Sequence, residues 1–200
     1  MPLACKSSST SFSNSWFKGG GIVSVVEVNG YEIGEGSNLN RARLHDLKIP
    51  HADLQGANLF AASMYRIDLT GANLSYANLA QADLRGAVMQ NANLICANLT
   101  VAWLGGEHPL GINVGANLTG ANLTRANLSG ANLGGADLSN AKLCMANLSF
   151  SDLRQTKLVG ADLNGAWLMG AWCADIDFTD AIMPNGMKWH AQHNPIEKYN

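Results

Sequence analysis

The chain has 200 residues, of which 47% are hydrophobic and 14% charged, and its formal net charge is −2. This composition suits one domain with an outer surface of small polar residues. It counts against direct binding to nucleic acid or to a membrane surface, both of which call for concentrated Lys and Arg, and no run approaches the ~18 consecutive apolar residues of a membrane-spanning helix.

In chain order, residues 1–21 are Ser-rich and lack the apolar core of a secretory signal, so they read as a flexible N-terminal segment. Residues 22–33, Ile-Val-Ser-Val-Val-Glu-Val-Asn-Gly-Tyr-Glu-Ile, carry Asn29-Gly30 between apolar runs, the signal of a two-residue β-hairpin turn. The hairpin makes 22–36 a cap whose apolar face plugs the element that follows. From 37 to 185 the chain repeats every five residues, with one interruption at 105–115. Pro184-Asn185-Gly186 stops the pattern, and the tail 186–200 is expected to fold Met187 and Trp189 over the end.

A period of five is neither the helical 3.6 nor the strand 2.0. Centred on the recurring leucine, 14 quintets run from Leu39 to Leu104 and 14 more from Leu118 to Met183. Of these 28 centres 22 are Leu; the others are Ile49, Met64, Met89, Cys173, Phe178 and Met183, and the position two before the centre is Ala in 22 quintets. One small and one large apolar residue in every five can be buried only by coiling round an axis, each coil covering the next. A fully buried Leu contributes roughly 1.5–3 kcal/mol, most of it cancelled by chain entropy. Ala accompanies Leu because so narrow an interior has no room for two large side chains. Asn or Asp dominates the position before the centre, as at Asn58, Asn73, Asn78, Asn93, Asn98, Asn117, Asn122 and Asn127. Such side chains hydrogen-bond backbone in turns and stack in ladders.

The run Ala-Asn-Leu-Thr-Gly-Ala-Asn-Leu-Thr-Arg-Ala-Asn-Leu-Ser-Gly-Ala-Asn-Leu at 116–133 resembles the A(D/N)LXX signature of the pentapeptide-repeat protein family, and the resemblance covers about 140 of the 200 residues. It implies an all-β fold, a right-handed quadrilateral β-helix with four quintets per coil and the centre and the residue two before it facing inward. The large residues of the alanine column, Leu47, Ile67, Thr156 and Ile176, form pairs 20 residues apart, and all four share one face if 105–115 replaces no quintet. The 28 quintets then make seven coils, a column of roughly 33 Å at ~4.8 Å per coil. The ending Asp180-Ala-Ile-Met-Pro-Asn-Gly is similar to the close of many cyanobacterial members. Cys5, Cys96, Cys144 and Cys173 lack metal-ligand spacing and read as free thiols of a reducing cytoplasm; an organelle or the thylakoid lumen is the alternative, because the Ser-rich start faintly resembles a transit peptide.

No nucleophile elbow, P-loop, dinucleotide fingerprint or metal-ligand spacing occurs, so no catalytic, cofactor or metal site is expected. Repeat aspartates such as Asp53, Asp83, Asp137 and Asp162 face water, and His45, His51, His108, His190 and His193 are scattered. Loops leaving a rigid scaffold often carry function, which makes Trp103, Glu107, His108, Leu110 and Ile112 the candidate partner-binding loop; the alternative is a tolerated insertion at a corner. Trp167 and Trp172 occupy the Asn/Asp position in the last coil. Either the tail with Trp189 packs on them, or they form a homodimer contact through the terminal coil.

The resemblance also brings in members that protect DNA gyrase from quinolones by mimicking duplex DNA. A duplex ~33 Å long carries about 20 phosphates, whereas residues 37–185 hold 11 acids and 9 bases. Only Asp175, Asp177 and Asp180, with no base nearer in sequence than Lys188, make an acidic end. The reading that remains is a non-catalytic rigid scaffold for protein–protein interaction, regulatory in character, with a protein partner of unknown identity. Gyrase protection is the alternative.

Overall fold

The computed structural model describes residues 25–28, 30–106 and 115–190, and these contain no helix. β1 (Val25–Val28) and β2 (Tyr31–Gly34) pair antiparallel with Val28 opposite Tyr31. β2 runs one residue past the end of the 22–33 alternation; residues 22–24 and Asn29 lie outside the described residues. Val28 and Ile33 are buried and continuous with the core, with Tyr31 packed against it.

Beyond the hairpin the backbone pairs with itself in parallel at intervals of 20 residues, as in Asn38 with Asn58 and Asn58 with Asn78. Four quintets therefore complete one turn, and the coils are 37–56, 57–76, 77–96, 97–125, 126–145, 146–165 and 166–185. We number the faces by the residue that opens each column: face 1 from Asn38, face 2 from Arg43, face 3 from Lys48 and face 4 from Asp53.

One quintet shows why the coil holds. Leu59 points inward and donates its amide to Asn78 of the next coil at 2.8 Å, while Asn58 donates to Ser37 of the coil before at 2.9 Å. The amide of Ala62 returns to the Leu59 carbonyl at 3.1 Å and closes the corner. The corner needs a residue with positive φ just before that alanine, and 17 non-glycine residues among those described adopt it. Val101, at φ 56°, is the one β-branched side chain among them, the type least suited to that region. Outside, the Asn78 carboxamide oxygen accepts from the Ala80 amide at 3.3 Å, and its nitrogen donates to Asn58 at 3.3 Å. The Asn column is thus both a set of local turns and a ladder along the axis.

Across the interruption Val88 pairs with Asn117 and Trp103 with Asn132, a spacing of 29 residues, nine more than elsewhere. No quintet is replaced. Gly105 and Gly106 keep the register of face 2, since the Gly106 amide donates to Gly134 at 2.9 Å. The interruption is therefore the nine residues 107–115 and is shorter than the break in pattern at 105–115. With the register preserved, Leu47, Ile67, Thr156 and Ile176 fall on face 3 as expected. Thr156 is tolerated in the core because its hydroxyl donates to the Leu133 carbonyl at 2.9 Å; Ser151 does the same to Leu148 at 2.7 Å.

At the far end the chain reverses after Pro184. Ile182 pairs antiparallel with Lys188, and the Trp189 amide donates to Ala181 at 2.7 Å. The Trp189 ring lies 5.0 Å from Phe178 and covers the core. Met187, expected over the end as well, stays exposed and contributes its backbone carbonyl, which closes the turn by accepting from Met183 at 2.8 Å. On faces 1 and 2 of the last coil the amides of Leu168 and Cys173 find no partner among the described residues.

Candidate interaction face

Wrapping the chain four quintets at a time sorts its outward residues unevenly. Arg43, Arg85 and Arg154 stand on face 2, with Arg41 at the corner that leads into it and Arg66 at the corner that leaves it, so that Arg125 is the only arginine elsewhere. In the triplet Asp83-Leu84-Arg85 the leucine is buried, so the residues on either side of it share the outer surface. Arg85 Nε donates to Asp83 Oδ1 at 2.9 Å and Nη2 to Oδ2 at 2.8 Å, a bidentate pair. The same guanidinium lies 5.3 Å over the ring of Trp103, one coil further on.

The arrangement recurs lower on the same face. Arg154 Nε and Nη2 donate to Asp152 at 2.9 and 2.6 Å, and the guanidinium lies 5.4 Å over Trp172. A third cation, Arg66, lies 5.7 Å over Tyr65 and pairs with Asp46 at 2.6 Å. These three are the guanidinium–ring contacts of the described residues, and face 2 carries them all. Burial pushes the Asp83 carboxyl up, but the hydrogen bonds and charge of Arg85 outweigh it and hold Asp83 below the ordinary carboxylate range. At Asp152 the Arg154 side chain lowers the value against a smaller desolvation effect. Both carboxylates are thus set up to hold an arginine.

Of the loop residues proposed from sequence, Trp103 sits on this face, 51% exposed; Glu107, His108, Leu110 and Ile112 lie outside the described residues. The stems of the insertion are defined. A Cβ on Gly105 would overlap the Gly134 carbonyl oxygen and one on Gly115 that of Gly135, so the insertion leaves from the edge of face 2 through a gap that only glycines fit. Trp167 stands on face 1 and Trp172 on face 2, 67% and 64% exposed. Trp189 is not with them. Its segment runs back along face 4, one corner from Trp167 and on the opposite side from Trp172, and the described tail covers neither tryptophan. Exposed Met169 and Phe150 flank Trp167, with the Phe150 ring against the Gly170 backbone.

The acidic end read from sequence is corrected. Lys188 Nζ pairs with Asp180 at 2.7 Å, and Lys157, 20 residues upstream, is the ladder neighbour of Asp177. Distance along the chain hid a base that the coil places adjacent. The arginines of face 2 were missed for the same reason, although a signal exists: Asp-Leu-Arg occurs at 83–85 and 152–154, each time with Trp 20 residues after the Asp. Cys96, Cys144 and Cys173 are free thiols, and no group of three His, Cys, Asp or Glu that could hold a metal occurs among the described residues. No helix of the described residues is long and apolar enough to cross a membrane.

The family model for pentapeptide repeats matches the chain in 8 copies over residues 37–75, 72–106, 114–144 and 146–183. Among solved structures, HetL of Nostoc sp. strain PCC 7120, a pentapeptide repeat protein involved in heterocyst differentiation regulation, is 31% identical over 78% of each chain, with a TM-score of 0.35. The pentapeptide repeat protein alr5209 of Nostoc is 39% identical over 48% of this chain and 67% of its own, with a TM-score of 0.25. QnrB1, a plasmid-mediated fluoroquinolone resistance protein, is 18% identical over 73% and 76%, with a TM-score of 0.46. No curated protein matches the chain significantly.

Proposed function

The chain belongs to the pentapeptide repeat family, and on that footing we propose that it is a rigid, non-catalytic scaffold that binds a protein partner and acts by presenting or sequestering it, a regulatory role. The observation that carries this reading is the pair of tryptophans, Trp103 and Trp172, exposed at positions where the repeat mostly places Asn or Asp and each stacked under an arginine held by an aspartate. Trp and Arg are the residue types that dominate the energetics of protein interfaces. The depressed carboxylates of face 2 are committed to ion pairs, which suits a binding surface better than acid–base chemistry. Capture with cross-linking from an extract of the source organism tests the reading, comparing the intact chain with Trp103→Ala and with a variant lacking 107–115. A partner held by the intact chain and lost from either variant supports it; no specific partner overturns it.

A second copy of the chain is the other protein partner that an observation favours. Among the described residues the amides of Leu168 and Cys173 have no partner, which leaves an edge of the last coil unpaired beside Trp167 and Trp172, and unpaired strand edges invite pairing. Mass in solution decides it: Trp167→Ser and Trp172→Ser should turn a dimer into monomers, and a parent that is monomeric at high micromolar concentration ends the idea.

A further inference from the structure

We infer that face 2 is a two-anchor docking strip for an extended protein segment of low net charge, running along the coil axis with large apolar or aromatic side chains at positions i and i+4. This rests on the protein-binding reading above and names the surface and the kind of partner.

The strip is built by repetition. Trp103 and Trp172 are three ladder steps apart, through Asn132 and Asp152, which at ~4.8 Å per step is about 14 Å. An extended strand advances ~3.4 Å per residue, so four residues span about 14 Å, and an even number returns the side chain to the same side. A helix laid on the strip would reach 14 Å after about nine or ten residues, which point roughly 180° or 280° round from the first. Only the extended segment offers both tryptophans a side chain. Beside Trp103 the described floor is low, since Gly105, Gly106 and Gly134 carry no side chain and Asn132 is folded down to accept from the Gly134 amide at 3.0 Å, while the Asp152–Arg154 pair stands beside Trp172.

Charge narrows the occupant. Arg43, Arg66, Arg85 and Arg154 on face 2 and its following corner are matched in number by Asp46, Asp83, Asp152 and Asp175, and a balanced strip does not draw a polyphosphate backbone. Each anchor is also set in advance. The bidentate aspartate fixes the plane of Arg85 or Arg154, and the guanidinium fixes the ring below it. Little rotamer freedom is left to lose on binding.

A phage-displayed library of random dodecapeptides panned on the immobilised full chain tests this, with fluorescence titration of the enriched peptides against parent and variants. The expected result is enrichment of i, i+4 apolar or aromatic pairs. Trp103→Ala and Trp172→Ala, each with the parent's thermal midpoint, should each weaken binding about tenfold or more. Trp103→Phe should keep most of it, and moving the second side chain from i+4 to i+5 should cost as much as losing one anchor. Peptides bound equally well by the double variant overturn the strip and leave the protein-binding reading standing. Tight binding of a 20-nucleotide oligo-dT that Trp103→Ala abolishes overturns both, and a dimer abolished by Trp103→Ala replaces the peptide with a second copy.

Discussion

The amide of Ala116 donates to the carbonyl of Leu104 at 2.6 Å, the bond that closes an ordinary corner of the coil, although the insertion separates the two residues. The insertion is looped out of a finished turn. Joining Gly106 directly to Ala116 should therefore leave the thermal midpoint, followed by circular dichroism, within a few degrees, since closing or removing such a loop changes the free energy by only about a kcal/mol. A large drop would show that 107–115 packs on the column as part of its stability.

The column itself should be unforgiving. Leu138 is wholly buried, and Leu138→Arg puts an unpaired charge among stacked leucines at a cost of several kcal/mol or more. Cooperative melting should disappear. On the outside, Asn127→Ser removes a rung of the ladder to Asn147 and should cost about 1 kcal/mol or less.

Val101 offers a change in the opposite direction. It is a half-exposed β-branched residue at φ 56°, where Asn is several-fold enriched and Val is an outlier. Val101→Asn should raise the urea midpoint by an amount worth up to about 1 kcal/mol. An unchanged or lowered midpoint would mean that Val101 contributes more by packing than it loses in strain.

Asp83 and Asp152 are held below their ordinary range, by Arg85 and Arg154 respectively. A carboxylate with a depressed folded-state value adds stability above its unfolded value, ~3.9, and loses it as pH falls through the lower folded one. The parent's advantage over Asp83→Asn/Asp152→Asn in urea unfolding should accordingly be full at pH 6 and close progressively below about pH 4. An advantage that persists at pH 2 would deny the ion pairs their role.

At micromolar concentration the protein should neither inhibit gyrase supercoiling nor rescue it from a quinolone. Its repeats carry 11 acids against 9 bases, and Lys188 and Lys157 temper the one acidic end. Measurable rescue would restore DNA mimicry, with Asp175 and Asp177 the first residues to neutralise.

Much of the fold was legible because the quintet is a local rule repeated. Leu and Ala every five residues dictate which side chains go in, and burial enforces that on every coil without reference to what lies above or below. Even the four-quintet turn left a trace, in Leu47, Ile67, Thr156 and Ile176, because oversized residues need each other's face of the column. Outward residues obey no such constraint. Asp83, Arg85 and Trp103, like Asp152, Arg154 and Trp172, become one feature only when residues 20 apart are brought within about 5 Å by ladder pairing. The same wrapping places Lys157 beside Asp177 and sends Trp189 to Phe178 instead of Trp167. Inward pattern is thus determined along the chain by the hydrophobic effect, whereas the neighbours of every surface group are decided by the pitch of the coil, which only the folded column sets.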